Sequence, residues 1–176
     1  MLIVFEGIDG SGKSTQAKAL HRSFEFHGKK SVLLREPYCR TTLEDSSPAY
    51  FLRDRQKNSV PKVKAALRDG AVVIMDRYYY STMAYQGALG YDVDTIRRDN
   101  EYFAPIPDWL FVLRIDPYVA LARVEQRSEA DSWEQLDYMY NVRHQYEIMS
   151  FPYQVNLRGA DSPLDVHLQV LGLVLM

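Results

Sequence analysis

Near the start of the chain stands Gly7-Ile8-Asp9-Gly10-Ser11-Gly12-Lys13-Ser14-Thr15, which fits the pattern G-x-x-x-x-G-K-[ST]. Such a loop works only where a buried strand runs into it and a helix starts from it. Glycines let the backbone amides curl inward, and the helix N-terminus adds partial positive charge. Both neighbours are legible: Leu2 to Phe5 is a short apolar run, and Ser14 to Phe26 is a helical stretch that stops near Gly28. The loop is built for the phosphates of a nucleoside triphosphate. Gly7, Gly10, Ser11, Gly12 and Thr15 form the cradle, Lys13 brings a point charge to the β- and γ-phosphates, and Ser14 offers a hydroxyl to Mg²⁺.

The same alternation continues. Ser31 to Leu34, Ala71 to Met75, Trp109 to Ile115 and Tyr153 to Leu157 read as four more buried strands. Helices are predicted over 14–26, over 48–69 in one or two pieces, and over 117–126, 134–149 and 163–174, with a short one after Asp76. Pro61 suits the first turn of the second piece of 48–69, where its missing donor costs nothing. Strands alternating with helices give an α/β fold, a parallel sheet covered on both faces, in one domain over 1–176. The polar stretch 126–134 is a candidate flap or a solvated turn.

The rest of the composition narrows the class. Lys and Arg number 21 against 23 Asp and Glu, which does not favour a nonspecific nucleic-acid binder. The single cysteine, Cys39, cannot form an intrachain disulfide. No run approaches the ~18 apolar residues of a membrane span, and the apolar Met1-Leu-Ile-Val-Phe lacks a basic n-region and is interrupted at once by Glu6. A cytoplasmic protein with no membrane partner is expected. The guanine-reading N-K-x-D is absent, so length and loop point to a compact kinase rather than a GTPase or motor. Asp76-Arg77 ends the third apolar run, at the sheet edge where ligands gather in open α/β folds. Asp76 there can orient a Mg²⁺-bound water and Arg77 can reach an acceptor; a structural ion pair is the alternative for each.

FEGIDGSGKSTQAK, Arg35-Glu36-Pro37, DRYYYSTMAYQG from Asp76 to Gly87, and PDWLFVLRIDP near Pro107 to Pro117 together resemble the thymidylate kinase family, in order and spacing over essentially the whole chain. The resemblance implies the P-loop NTPase fold, with a five-stranded parallel sheet, flanking helices and a small lid. It implies transfer of the ATP γ-phosphoryl to dTMP with Mg²⁺, and a homodimer. It also implies roles. Arg77 contacts the thymidylate. Phe51 stacks on the base while Arg55, four residues on, grips the monophosphate. Tyr85 lies near the sugar, Ser81 and Gln86 lie around the base, and Asp9 contacts the sugar or phosphate end of the acceptor. Glu36 and Pro37 belong to the acceptor loop. Some members of the family carry a catalytic basic residue at the position of Gly10 and others carry it in the lid. Glycine leaves the second arrangement, with Arg127 the candidate and Arg123 one turn earlier. Arg143 matches a recurrent arginine, and Arg158 to Asp161 match the segment that closes over adenine.

The sequence departs from the family after Pro37. Tyr38-Cys39-Arg40-Thr41-Thr42 replaces the usual Gly-Gly-Thr, and the stretch up to Asp76 is short. Arg40 could bring charge in compensation. A kinase of the same fold with another deoxynucleotide or nucleoside acceptor, and a nucleotide-binding regulator without turnover, stay open beside the main reading. The thirteen tyrosines are a further oddity. Tyr38, Tyr78 to Tyr80 and Tyr85 fall near the expected acceptor site, and packing is the plainer account of most others.

Overall fold

The computed structural model describes residues 1–38, 47–125 and 133–175. Five strands, β1 (Leu2–Glu6), β2 (Ser31–Arg35), β3 (Val72–Asp76), β4 (Trp109–Arg114) and β5 (Gln154–Arg158), form one sheet in the order β2-β3-β1-β4-β5. Every pairing is parallel, with Ile3 opposite Ile74 on one side and Trp109 on the other. The five expected strands lie within a residue of where the apolar runs put them.

β1 takes the centre because every residue of Leu-Ile-Val-Phe-Glu can be buried. Its side chains alternate between two layers. Ile3 and Phe5 pack with Leu20, Phe24 and Phe111 under α1 (Lys13–Phe26), a layer that also holds Val166 and Val170 of α8 (Pro163–Val174). Leu2 and Val4 pack with Met75 and Tyr78 on the opposite face. That layer also holds side chains from α3 (Val60–Arg68), α4 (Tyr79–Gly87), α5 (Val93–Glu101), α6 (Pro117–Glu125) and α7 (Trp133–Ile148). Burying one such large apolar side chain is worth about 1.5–3 kcal/mol, so this strand anchors the loop that follows it.

The connection from β1 passes β3 to β2 on one side of the sheet, and that from β3 crosses β1 to β4 on the other. The strand order therefore reverses beside β1, and a crevice opens at the carboxyl ends of β1, β3 and β4. The glycine-rich loop sits in that crevice.

Two elements depart from expectation. The region 48–69 is α2 (Pro48–Asp54) and α3 joined by one π-helical turn, Arg55–Ser59; Ser47 caps α2 by accepting from the Tyr50 amide at 3.3 Å. Pro61 does lie in the first turn of α3. The second departure is α5, capped by Asp92, which accepts from the Asp94 amide at 3.2 Å. Its sequence is mostly charged, with apolar residues only at Val93 and Ile96, and it buries Ile96 and Asn100. Among the described residues no helix is long and apolar enough to cross a membrane.

Candidate active site

The loop wraps the start of α1 as its motif requires. Gly12 is the N-cap of α1 at φ 101, a left-handed conformation that glycine adopts without strain. Gly10 sits at φ 80 with the backbone of α6 against it, so a Cβ there would lie 2.2 Å from the Ala120 carbonyl oxygen. A cavity of about 650 Å³ opens over the loop, lined by Gly10 to Lys18 except Ala17, and by Arg123, Gly159 and Asp161.

Lys13 is buried, with Nζ donating to the Ile8 carbonyl at 2.8 Å. Burial, seconded by the Arg77 charge, brings its pKa down to about 7, against the pull of Asp9, Glu6 and Asp76. Ser14 Oγ donates to Asp76 Oδ2 at 2.6 Å, and Asp76 Oδ1 is buried without a partner among the described residues. A hydroxyl beside a carboxylate with an unpaired oxygen is a hard-oxygen set. It fits Mg²⁺, which keeps several waters and shares its site with phosphate.

A second cavity of about 390 Å³ lies beside the first. Asp9, Arg35 and Arg77 line both. Arg77 follows β3 at φ 71, which aims its guanidinium back across the sheet edge. Nη2 donates to Asp9 Oδ1 at 2.5 Å and to the Tyr85 hydroxyl at 3.3 Å, and Nη1 donates to Ser81 Oγ at 3.0 Å. The protein crowded around the Asp9 carboxyl pushes its pKa up, but the Arg77 and Lys13 charges outweigh this and hold it below the usual range.

Phe51, Arg55, Ser81, Tyr85, Gln86, Glu36 and Pro37 all line the second cavity, as expected. Arg55 differs in its setting. It is buried, its Nε donates to Glu36 Oε2 at 2.7 Å, Nη1 to Asn100 Oδ1 at 2.5 Å and Nη2 to Thr82 Oγ1 at 3.1 Å. It lines the second cavity and not the first. An arginine held on three sides there is a fixed wall, not a free grip at the junction of the cavities.

Arg123 binds the carbonyls of Gly159 at 2.9 Å and Gly10 at 3.3 Å, holding the loop to the end of β5. Arg143 pairs with Glu147 at 2.7 Å and Asp116 at 3.3 Å, the helix pairing that its sequence context allowed. Arg40, Arg127 and most of the 126–134 segment lie outside the described residues.

Four residues of the site have no role in the sequence reading. Arg35 lies opposite Asp76 in the β2–β3 register, 3.7 Å from its carboxylate, and its place at a strand end was the available signal. Tyr138 lines the second cavity and donates to the Tyr85 carbonyl at 3.0 Å, although packing was the expected use of that tyrosine. Asn100 comes from the unexpected α5. Glu6 reads in sequence only as the residue that interrupts an apolar run. Conversely, Tyr79 and Tyr80 are core residues, stacked at 4.1 Å with hydroxyls in a chain to Tyr153.

A family model for thymidylate kinase matches residues 5–170. A probable thymidylate kinase of Archaeoglobus fulgidus is 40% identical over 81% of this chain and 79% of its own length. The thymidylate kinase of Akkermansia muciniphila is 43% identical over 76% and 71%. A probable thymidylate kinase of Pyrococcus horikoshii is 34% identical over 98% and 94%.

Proposed function

The chain belongs to the thymidylate kinase family, and from that premise we propose that it transfers the γ-phosphoryl group of ATP to dTMP, giving dTDP and ADP. The observation that carries this reading is the junction of the two cavities at Asp9, Arg35 and Arg77. ATP takes the larger cavity, with its phosphates on the glycine-rich loop. dTMP takes the smaller one, with its phosphate at the junction and its base between Phe51 and the wall made by Arg55, Thr82 and Gln86. The phosphate role expected of Arg55 passes to Arg77 and Arg35.

The acceptor phosphate oxygen forms a bond to Pγ as the bond from Pγ to the bridging β-oxygen breaks. The acceptor is already anionic near neutral pH, so the protein's part is alignment and charge neutralisation. Lys13 neutralises charge on the transferring group, and Arg127 is the expected lid cation. Ser14 and Asp76 would hold Mg²⁺, which would supply charge neutralisation on the phosphates. The same reading carries a homodimer and a cytoplasmic location.

An ADP-release assay with ATP, Mg²⁺ and a panel of mononucleotides and nucleosides tests the acceptor. dTMP is expected to give the highest kcat/KM. A better acceptor in the panel overturns the choice of dTMP, and ATP binding without turnover on any acceptor makes the chain a regulator. In the same assay Arg127→Ala is expected to lower kcat about 10²-fold, as loss of one donor to transition-state charge does. An unchanged kcat removes Arg127 from the site.

Lys13 gives a pH signature. Its pKa near 7 in the free protein leaves the amine mostly neutral at pH 8, and the triphosphate charge restores the proton. ATP binding is therefore expected to take up close to one proton at pH 8 and almost none at pH 6. Calorimetry in two buffers of different ionisation enthalpy reads this directly. Equal heats in both buffers at pH 8 would contradict it.

A further inference from the structure

Glu6 ends β1 and lines neither cavity, yet four hydrogen bonds converge on it. Oε1 accepts from the Tyr78 amide at 2.7 Å and the Ser81 amide at 3.1 Å. Oε2 accepts from Ser81 Oγ at 2.6 Å and the Tyr146 hydroxyl at 2.7 Å. The residue is wholly buried. A carboxylate has about four acceptor sites, and here each has its donor.

These donors surround Arg77. The N-cap of α4 is Tyr78, whose side chain makes no capping bond. Ser81 is the third residue of that helix, and its amide is the one a capping oxygen ordinarily takes. Glu6 thus caps α4 from a neighbouring strand, and it ties down the turn that holds Arg77 at φ 71. The Arg77 amide itself donates to the Phe5 carbonyl at 3.0 Å, one residue before Glu6. The Ser81 hydroxyl completes the link. It has one proton, which goes to Glu6, so its lone pairs face the Arg77 Nη1 donor at 3.0 Å.

We propose that Glu6 is a positioning residue of the acceptor site: by capping α4 and polarising the Ser81 hydroxyl, it fixes where the Arg77 guanidinium stands. The proposal rests on the reading of Arg77 as a ligand of the acceptor phosphate. Glutamine at this position has nearly the same shape and can still accept both amides. Its NH₂ group cannot accept from Ser81 or Tyr146, so both hydroxyls must turn and the lone pair that meets Arg77 is contested. The fold survives this change better than the guanidinium's position does.

The test is a cycle between Glu6→Gln and Arg77→Lys, with KM for dTMP, KM for ATP and the thermal midpoint measured for each protein. Glu6→Gln is expected to raise KM for dTMP about tenfold, the scale of one hydrogen bond to a charged group, and to leave KM for ATP within about twofold. In the Arg77→Lys background the same substitution is expected to change KM for dTMP no further. A merely structural Glu6 would shift KM equally in both backgrounds, or shift both substrates together, and either result overturns the proposal, as does an unchanged KM for dTMP. If Glu6→Gln does not fold, Tyr146→Phe withdraws one donor from the same carboxylate. It is expected to raise KM for dTMP about threefold in the native background and not in Arg77→Lys; no rise, or an equal rise, again overturns the proposal. If Arg77→Lys alone leaves KM for dTMP unchanged, the acceptor-site reading of Arg77 falls, and this proposal with it. A rise with Arg77→Lys but none with Glu6→Gln removes only the positioning role.

Discussion

Arg77→Ala is expected to lower kcat/KM for dTMP by about 10³-fold while KM for ATP stays within about threefold, the upper range for deleting one preorganised positive group aimed at the reacting phosphates. The guanidinium sits between Asp9, Ser81 and Tyr85 and is only 11% exposed. Without it an incoming dianion meets the Asp9 carboxylate with only Arg35 left at the junction, so ground-state binding and alignment weaken together. Arg77→Lys separates charge from shape. It keeps the charge and the strained backbone but loses the planar fork, so it should recover only part of the activity. Steady-state kinetics with each substrate varied in turn checks the pattern. A loss that falls equally on ATP and dTMP would place Arg77 outside the acceptor site.

Lys13→Ala is expected to lower kcat about 10³-fold, the upper range for deleting one preorganised positive group from a charged transition state. The buried amine lies within the loop, bonded to the Ile8 carbonyl at 2.8 Å. It reaches the transferring oxygens without having to be pulled in from solvent. The loop amides and the α1 N-terminus remain in the variant, so ATP affinity should fall by only about tenfold. Single-turnover measurements separate the two effects. A kcat within tenfold of the native value would mean that charge neutralisation comes from elsewhere, and the lid is then the place to look.

The architecture was legible because burial on both faces leaves an unambiguous trace. The inner strands β1, β3 and β4 are near-continuous apolar runs, and the loop motif marked the end of the first of them. The helix α5 was not legible. Val-Asp-Thr-Ile-Arg-Arg-Asp-Asn-Glu buries one large apolar residue, Ile96, so its apolar signal is small although Asp92 caps it. The π-helical turn at Arg55–Ser59 carries no glycine or proline to mark it, since the re-aiming of a wall residue is a tertiary demand. Among site residues, those in the loop and after β3 were readable from chemistry at fixed spacing. Glu6 and Asn100 were not, because they act through another side chain: Glu6 serves Ser81, 75 positions away, and Asn100 serves Arg55, 45 positions away. Tyrosine content was a poor guide. Tyr78 and Tyr85 line the second cavity, while Tyr79 and Tyr80 fill the core beside Tyr78 and satisfy each other.

The contact between Gly10 and α6 bears on how a kinase of this build can change over generations. An arginine in the loop at that position would have its Cβ 2.2 Å from the Ala120 carbonyl oxygen, and the φ of 80 there disfavours any side chain. A single substitution at Gly10 therefore meets both a steric and a backbone penalty. α6 must first draw back, and that loosens the Arg123 bonds that join the loop to the end of β5. The backbone of a helix packed on the loop thus sets which residue position 10 can hold.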